Sequence, residues 1–274
     1  MVPIPDGNWI ILAPVLLACG MVAGLLAGLL GVGGGIVIVP ILYHVFTADG
    51  LPLDVTMPLA VGTSLASIVL TSVMSASAHH RRGTVDGALL RSWAPGILAG
   101  VVVGTWLGGA VVSGALLKAL FGVLLVAVSA HMLLTARNKP TVSDGLPGRY
   151  TQRGISFGIG SLAAMLGIGG GTLAVPALNL FAFPIHRAVG TSAVFGFFIS
   201  VPAAAGYVIA GWGSPSLPAF STGYVNWLAF ALLVPATMLF APLGVRLCHR
   251  LDVTRLRQVF AVFILLVGLE MALF

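Results

Sequence analysis

Charge is what this sequence lacks most. Only 7% of its 274 residues are charged, 13 Lys and Arg with 7 Asp and Glu, while 58% are hydrophobic. A soluble domain carries about 25% charge. The few charged side chains here cannot cover a water-facing surface, which excludes a soluble globular protein. The low hydrophobicity of disordered chains is absent too. Cysteine is nearly missing: Cys19 lies in an apolar segment and Cys248 in a basic loop, so no disulfide framework is expected. No Lys or Arg precedes Leu16-Leu17-Ala18-Cys19, so this stretch reads as a first span rather than a cleaved signal. There is no His-Glu-x-x-His motif, no nucleophile elbow is expected, and there are no paired acids within the apolar segments, so no enzyme and no cofactor is implied.

Apolar segments and glycine are what is there in quantity. A membrane span takes about 20 apolar residues. Ten segments fit, near 9–30, 34–47, 58–78, 91–112 and 116–135, then 154–167, 171–183, 188–210, 225–245 and 257–274. The 36 glycines follow no Gly-X-Y period, which excludes a collagen-like chain. They mark an internal repeat instead. Gly24–Leu42 reads GLLAGLLGVGGGIVIVPIL and Gly160–Leu178 reads GSLAAMLGIGGGTLAVPAL, identical at 11 of 19 positions. Ala60-Val61-Gly62-Thr63-Ser64 then recurs letter for letter as Ala188-Val189-Gly190-Thr191-Ser192. The expected organisation is a first membrane repeat over 1–135, a cytoplasmic linker over 136–153 and a second repeat over 154–274.

The basic residues give an orientation. With the N-terminus outside and every segment changing side, 12 of the 13 bases fall on the inside, among them Arg81, Arg82, Arg91, Arg137, Lys139, Arg153 and Arg187. Only Lys118 falls outside. This is the positive-inside pattern. It explains the net charge of +6 without a nucleic-acid partner. An odd number of segments per repeat inverts the second half relative to the first. The expected fold class is therefore an all-α polytopic membrane protein with two inverted-topology repeats of about five segments. Transporters of this type bind substrate near the midplane, between the repeats.

The strongest chemical signal is the doubled Gly-x-Gly-Gly-Gly. Each glycine in a helix costs about 1 kcal/mol relative to Ala, so three in succession break it. Broken backbone within a bilayer is tolerated only against protein or a water-filled cavity. The helix that restarts after each run presents free N–H groups and a positive dipole end. Two such ends, from Gly33, Gly34 and Gly35 and from Gly169, Gly170 and Gly171, would make an anion pocket. The competing reading is close helix packing by small residues. Thr63, Ser64, Thr191 and Ser192 open the third segment of each half and could reach a ligand or tie helices together. Arg187, just before the second Thr-Ser block, could draw an anion to the inner mouth or act only as a topology charge. Within the spans His44, His131 and Glu270 are the ionisable candidates, and His131 and Glu270 are read as interfacial.

At these motifs the chain resembles the TauE/SafE family, sulfite and organosulfonate exporter-like membrane permeases. Gly24–Pro40 with Ala60–Ser64, and Gly158–Pro176 with Arg187–Ser192, carry the resemblance. It implies transport of small sulfur-containing anions such as sulfite, sulfoacetate or other sulfonates. The expectation is thus a secondary carrier of a bacterial inner membrane, in contact with lipid, working by alternating access. Coupling to protons and assembly into a homo-oligomer stay open. An anion channel, a carrier of another anion such as a carboxylate, and a non-transporting scaffold are the alternatives.

Overall fold

The computed structural model describes residues 9–30, 34–134, 143, 145–248 and 253–273. Among them the chain forms ten α-helices. These are α1 (Trp9–Leu30), α2 (Gly35–Ala48), α3 (Leu53–Arg81), α4 (Gly87–Trp106) and α5 (Gly114–Leu134). They continue as α6 (Arg149–Leu166), α7 (Gly170–Asn179), α8 (Ile185–Ala210), α9 (Trp227–Cys248) and α10 (Val253–Leu273). A two-stranded ribbon, β1 (Ser221–Thr222) with β2 (Val225–Asn226), precedes α9. The all-α membrane class expected from the apolar segments is the fold observed. Four helices, α3, α4 with its extension to Val111, α5 and α8, are long and apolar enough to cross a bilayer. At 1.5 Å per residue the 14 residues of α2 and the 10 of α7 rise only about 21 and 15 Å, short of a hydrocarbon core.

Several helices begin earlier than their apolar cores. α6 starts at Arg149, inside the stretch expected as linker. Its polar first turn is used: Gln152 Oε1 accepts from Ser92 Oγ at 2.8 Å and Trp93 Nε1 at 3.2 Å. α4 is capped by Asp86, whose Oδ1 accepts from the N–H groups of Ala88 (2.9 Å) and Leu89 (3.0 Å). Asn226 does the same before α9, accepting from Ala229 N at 2.8 Å.

In a bilayer helices associate through close packing rather than a hydrophobic drive, so small residues sit at their contacts. Those contacts give the helix directions. Gly96, Gly100 and Gly104 of α4 meet Ser156, Phe157 and Ser161 of α6 in rising order, so these helices are parallel. Gly20 and Gly24 of α1 meet Leu233 and Thr237 of α9 in the same sense. α3 and α8 are antiparallel, with Gly62 against Tyr207 and Ser72 against Gly196. So are α5 and α10: Gly122 meets Gly268 and Ala272, while Ser129 Oγ donates to Ala261 O at 2.6 Å. The principal packings are α1 on α9, α4 on α6, α3 on α8 and α5 on α10. Exchanging each helix for its repeat equivalent returns the same set.

Candidate functional site

The two glycine runs meet at the centre of the molecule. Gly31, Val32 and Gly33 lie outside the described residues. Gly34 caps α2 in the left-handed region, φ 78° and ψ −17°, where an L-residue costs about 1–2 kcal/mol. Gly167 ends α6 in the same region, φ 71° and ψ 27°. A Cβ on Gly35 would fall 2.6 Å from the Gly167 carbonyl oxygen and 3.0 Å from Ile168 Cα. A Cβ on Gly170 would fall 2.8 Å from the backbone N of Gly196 in α8. The breaks therefore serve close packing. The same packing brings the start of α2 against the end of α6, where opposite dipole ends meet.

The broken ends are treated unequally. At the end of α6 the carbonyls of Ala163, Met165 and Gly167 have partners. Ile168 N donates to Ala163 O at 3.0 Å, closing a glycine-capped terminus. Tyr207 Oη, fully buried, donates to Met165 O at 2.9 Å. Ser64 Oγ, also fully buried, donates to Gly167 O at 2.8 Å. A short π-helical stretch, Leu107–Val111, places Gly108 beside the Tyr207 hydroxyl. By contrast, neither α2 nor α7 has a side-chain cap at its start among the described residues. A helix leaves its first N–H groups without internal partners. At α7 these belong to Gly170 and Gly171. Gly35 and Gly171, like Gly34 and Gly170, are buried.

The Thr-Ser blocks are arranged in matched fashion. Thr63 Oγ1 accepts from Asn226 N at 2.9 Å and Thr191 Oγ1 from Asp86 N at 2.8 Å. Each threonine thus ties its helix to the residue that caps α9 or α4. Gly62 lies against the Tyr224 carbonyl and Gly190 against Thr84, which lets those loops pass. Ser64 is engaged with Gly167, whereas Ser192 Oγ is buried with no partner among the described residues. Arg187 lies at the edge, its side chain 55% exposed, and pairs with Asp86 Oδ2 at 2.8 Å. Asp86 was legible in the sequence as an acid before an apolar run, a common helix-start signal. Tyr207 carried no such signal.

Other sequence candidates lie apart. His44 Nε2 and Glu270 Oε2 are 3.3 Å apart on half-exposed side chains of α2 and α10. Lys118, expected at the outer side, is buried with its ammonium 4.8 Å from the centre of the Tyr43 ring. Gly154-Ile155-Ser156-Phe157-Gly158 spells the pattern of a nucleophile elbow. It lies inside α6, where Ser156 Oγ donates to Arg153 O, so it is helix and not a strand-to-helix turn. No group of three or more His, Cys, Asp or Glu able to hold a metal occurs among the described residues.

Comparison with known proteins fits this architecture. The family model described as Sulfite exporter TauE/SafE matches residues 16–271. A probable membrane transporter protein of Haemophilus influenzae is 35% identical over 260 residues, covering 94% of this chain and 97% of the relative. The probable membrane transporter protein YunE of Bacillus subtilis is 30% identical, covering 94% and 96%. A probable membrane transporter protein of Methanocaldococcus jannaschii is 27% identical, covering 97% of each chain. No solved structure matches the chain. With its doubled glycine break and its apolar helices, the chain belongs to the sulfite exporter TauE/SafE family and is a multi-pass membrane transporter.

Proposed function

We propose that the protein is a secondary carrier for small sulfur oxyanions, sulfite or organosulfonates, which bind where the two glycine breaks cross. The carrying observation is that α2 and α7 both start at this crossing without a side-chain cap. A negative substrate answers free N–H groups and a positive helix end. Arg187 is at the edge and tied to Asp86, so the seat itself is built from backbone dipoles. The N–H groups of Gly34, Gly35, Gly169, Gly170 and Gly171 point at the anion's oxygens, with Ser192 as a hydroxyl donor. Gly33 belongs to the same run. Thr63, Thr191 and Ser64 hold the walls in register, and Arg187 draws anions to the inner mouth.

The two halves work as inverted repeats, 1–135 and 154–274, that rock about the crossing. The antiparallel course of α3 against α8 and of α5 against α10 supports this, because equivalent helices of inverted repeats run in opposite senses. The basic loops face the cytoplasm of a bacterial inner membrane and the N-terminus faces outward, which the charge distribution supports. Thiol labelling checks that orientation. With Cys19 and Cys248 replaced by serine, a cysteine at Ser214 should react with a membrane-impermeant reagent from outside and one at Arg82 should not. The reverse pattern refutes it.

Counterflow in liposomes of purified protein tests the function. Internal unlabelled sulfite should drive saturable uptake of labelled sulfite at rates far below channel conduction. Large single-molecule currents would favour a channel instead.

A further inference from the structure

Two serines outside the Thr-Ser blocks lie one turn beyond the residues on which the starts of α2 and α7 pack. α7 and α8 form an antiparallel hairpin joined at 180–184, with Gly170 packed on Gly196. The first-turn N–H groups of α7 point backwards along its axis. They therefore open toward the next turn of α8, which carries Ser200. Ser200 is 0% exposed, and its hydroxyl has no partner among the described residues. A buried hydroxyl without a partner is disfavoured unless something occupies it part of the time. Ser200 is four residues beyond Gly196, so both lie on the helix face that meets α7.

The first half repeats this placement. α2 and α3 form the equivalent hairpin, with Gly35 beside Ile68. One turn past Ile68 is Ser72, also buried, whose hydroxyl donates to Val69 O of its own helix at 3.0 Å. Ser72 and Ser200 are equivalent positions: their spacing of 128 residues is that of Thr63 and Thr191. Because α3 and α8 are antiparallel, Ser72 stands level with Gly196, its Cβ 3.3 Å from the place a Cβ would take there. Four residues at 1.5 Å separate that level from Ser200, about 6 Å along the axis. Hydrogen bonds of about 2.7 Å to two oxygens of one small oxyanion cover such a gap.

We propose that Ser72 and Ser200 are the paired hydroxyl donors of the oxyanion seat, one from each half, each lying beyond the start of the short helix of its own half, α2 or α7. Ser72 gives up its bond to Val69 O and Ser200 gains its first partner when the anion enters. This rests on the reading of the crossing as an oxyanion site. Ser192 adds a donor from the second half alone, since its equivalent Ser64 is spent on the Gly167 carbonyl.

The test uses the full chain in liposomes and in detergent. Ser200→Ala should raise the half-saturating sulfite concentration about tenfold, the range for a hydrogen bond to a charged group. Ser72→Ala should raise it several-fold. The ligand-free melting temperature of Ser200→Ala should not fall, because the lost hydroxyl has no partner to abandon. Sulfite should raise the melting temperature of the wild type more than that of either variant. Unchanged half-saturation in both variants, with wild-type uptake intact, overturns the pairing and leaves the crossing as the site. If sulfite and sulfonates neither stabilise nor cross with the wild type, the underlying reading and this proposal fall together.

Discussion

Gly35→Val is expected to lower uptake at least a hundredfold. A Cβ at position 35 would meet the Gly167 carbonyl oxygen at 2.6 Å and Ile168 Cα at 3.0 Å. Both obstacles are backbone, held in place by Ser64 at the Gly167 carbonyl and by the Ile168 bond to Ala163. Neither can turn aside as a long side chain would, so the two breaks must separate. Overpacking of this kind costs about 1–3 kcal/mol, and here the displaced atoms adjoin the proposed seat. Gly35→Ala should show a smaller loss in the same direction. Gly158→Ala in α6 is the control, since nothing lies within 4 Å of its added Cβ. It should transport as the wild type does and gain up to about 1 kcal/mol in helix propensity. Uptake and a melting curve in detergent together separate a damaged site from an unfolded chain. Wild-type uptake by Gly35→Val would mean the crossing is not tight in the working protein.

Asp86→Ala should be among the most destabilising changes to a charged residue. It removes both hydrogen bonds that cap α4 and leaves Arg187 without its carboxylate. Loss of an N-cap costs about 1 kcal/mol, up to about 2. The ion pair adds less than about 1 kcal/mol, because the Arg187 side chain is 55% exposed and water screens it. Asp86→Asn discriminates the two terms. Asparagine caps α9 at the equivalent position, so it keeps the cap and the bond from its backbone N–H to Thr191. It should retain most of the stability, losing only the pair. Thermal melting gives the order: wild type, then Asp86→Asn close below, then Asp86→Ala well below. Equal losses for the two variants would place the stabilisation in the ion pair rather than the cap.

The halves show what a sequence can and cannot reveal here. The Gly-x-Gly-Gly-Gly runs were legible because nothing else in a bilayer tolerates three successive helix breakers. The ten segments were legible because each must satisfy its backbone internally within an apolar stretch. Polar first turns were not: in Arg149–Gln152 and Leu53–Met57 the side chains of Gln152 and Asp54 accept hydrogen bonds from groups distant in the sequence. Asp54 Oδ1, for example, takes the N–H of Gly114 at 2.8 Å. The letter-for-letter Thr-Ser repeat was visible, yet the structural partners of its threonines were not. Thr63 bonds a residue 163 positions away and Thr191 one 105 positions away, and those partners, Asn226 and Asp86, differ in type. Ser72 and Ser200 hid in plain register, since a lone serine in an apolar helix stands out only once its surroundings are known.

Counterflow across an anion panel tests the central claim most directly. Purified protein in liposomes would be preloaded in turn with sulfite, sulfate, thiosulfate, sulfoacetate and acetate, and uptake of labelled sulfite followed. A backbone-lined oxyanion site predicts saturable uptake driven by sulfite and sulfoacetate, little drive from acetate, and its loss in Gly35→Val. Uptake no faster than in empty liposomes, or equal drive by acetate and sulfite, would contradict it.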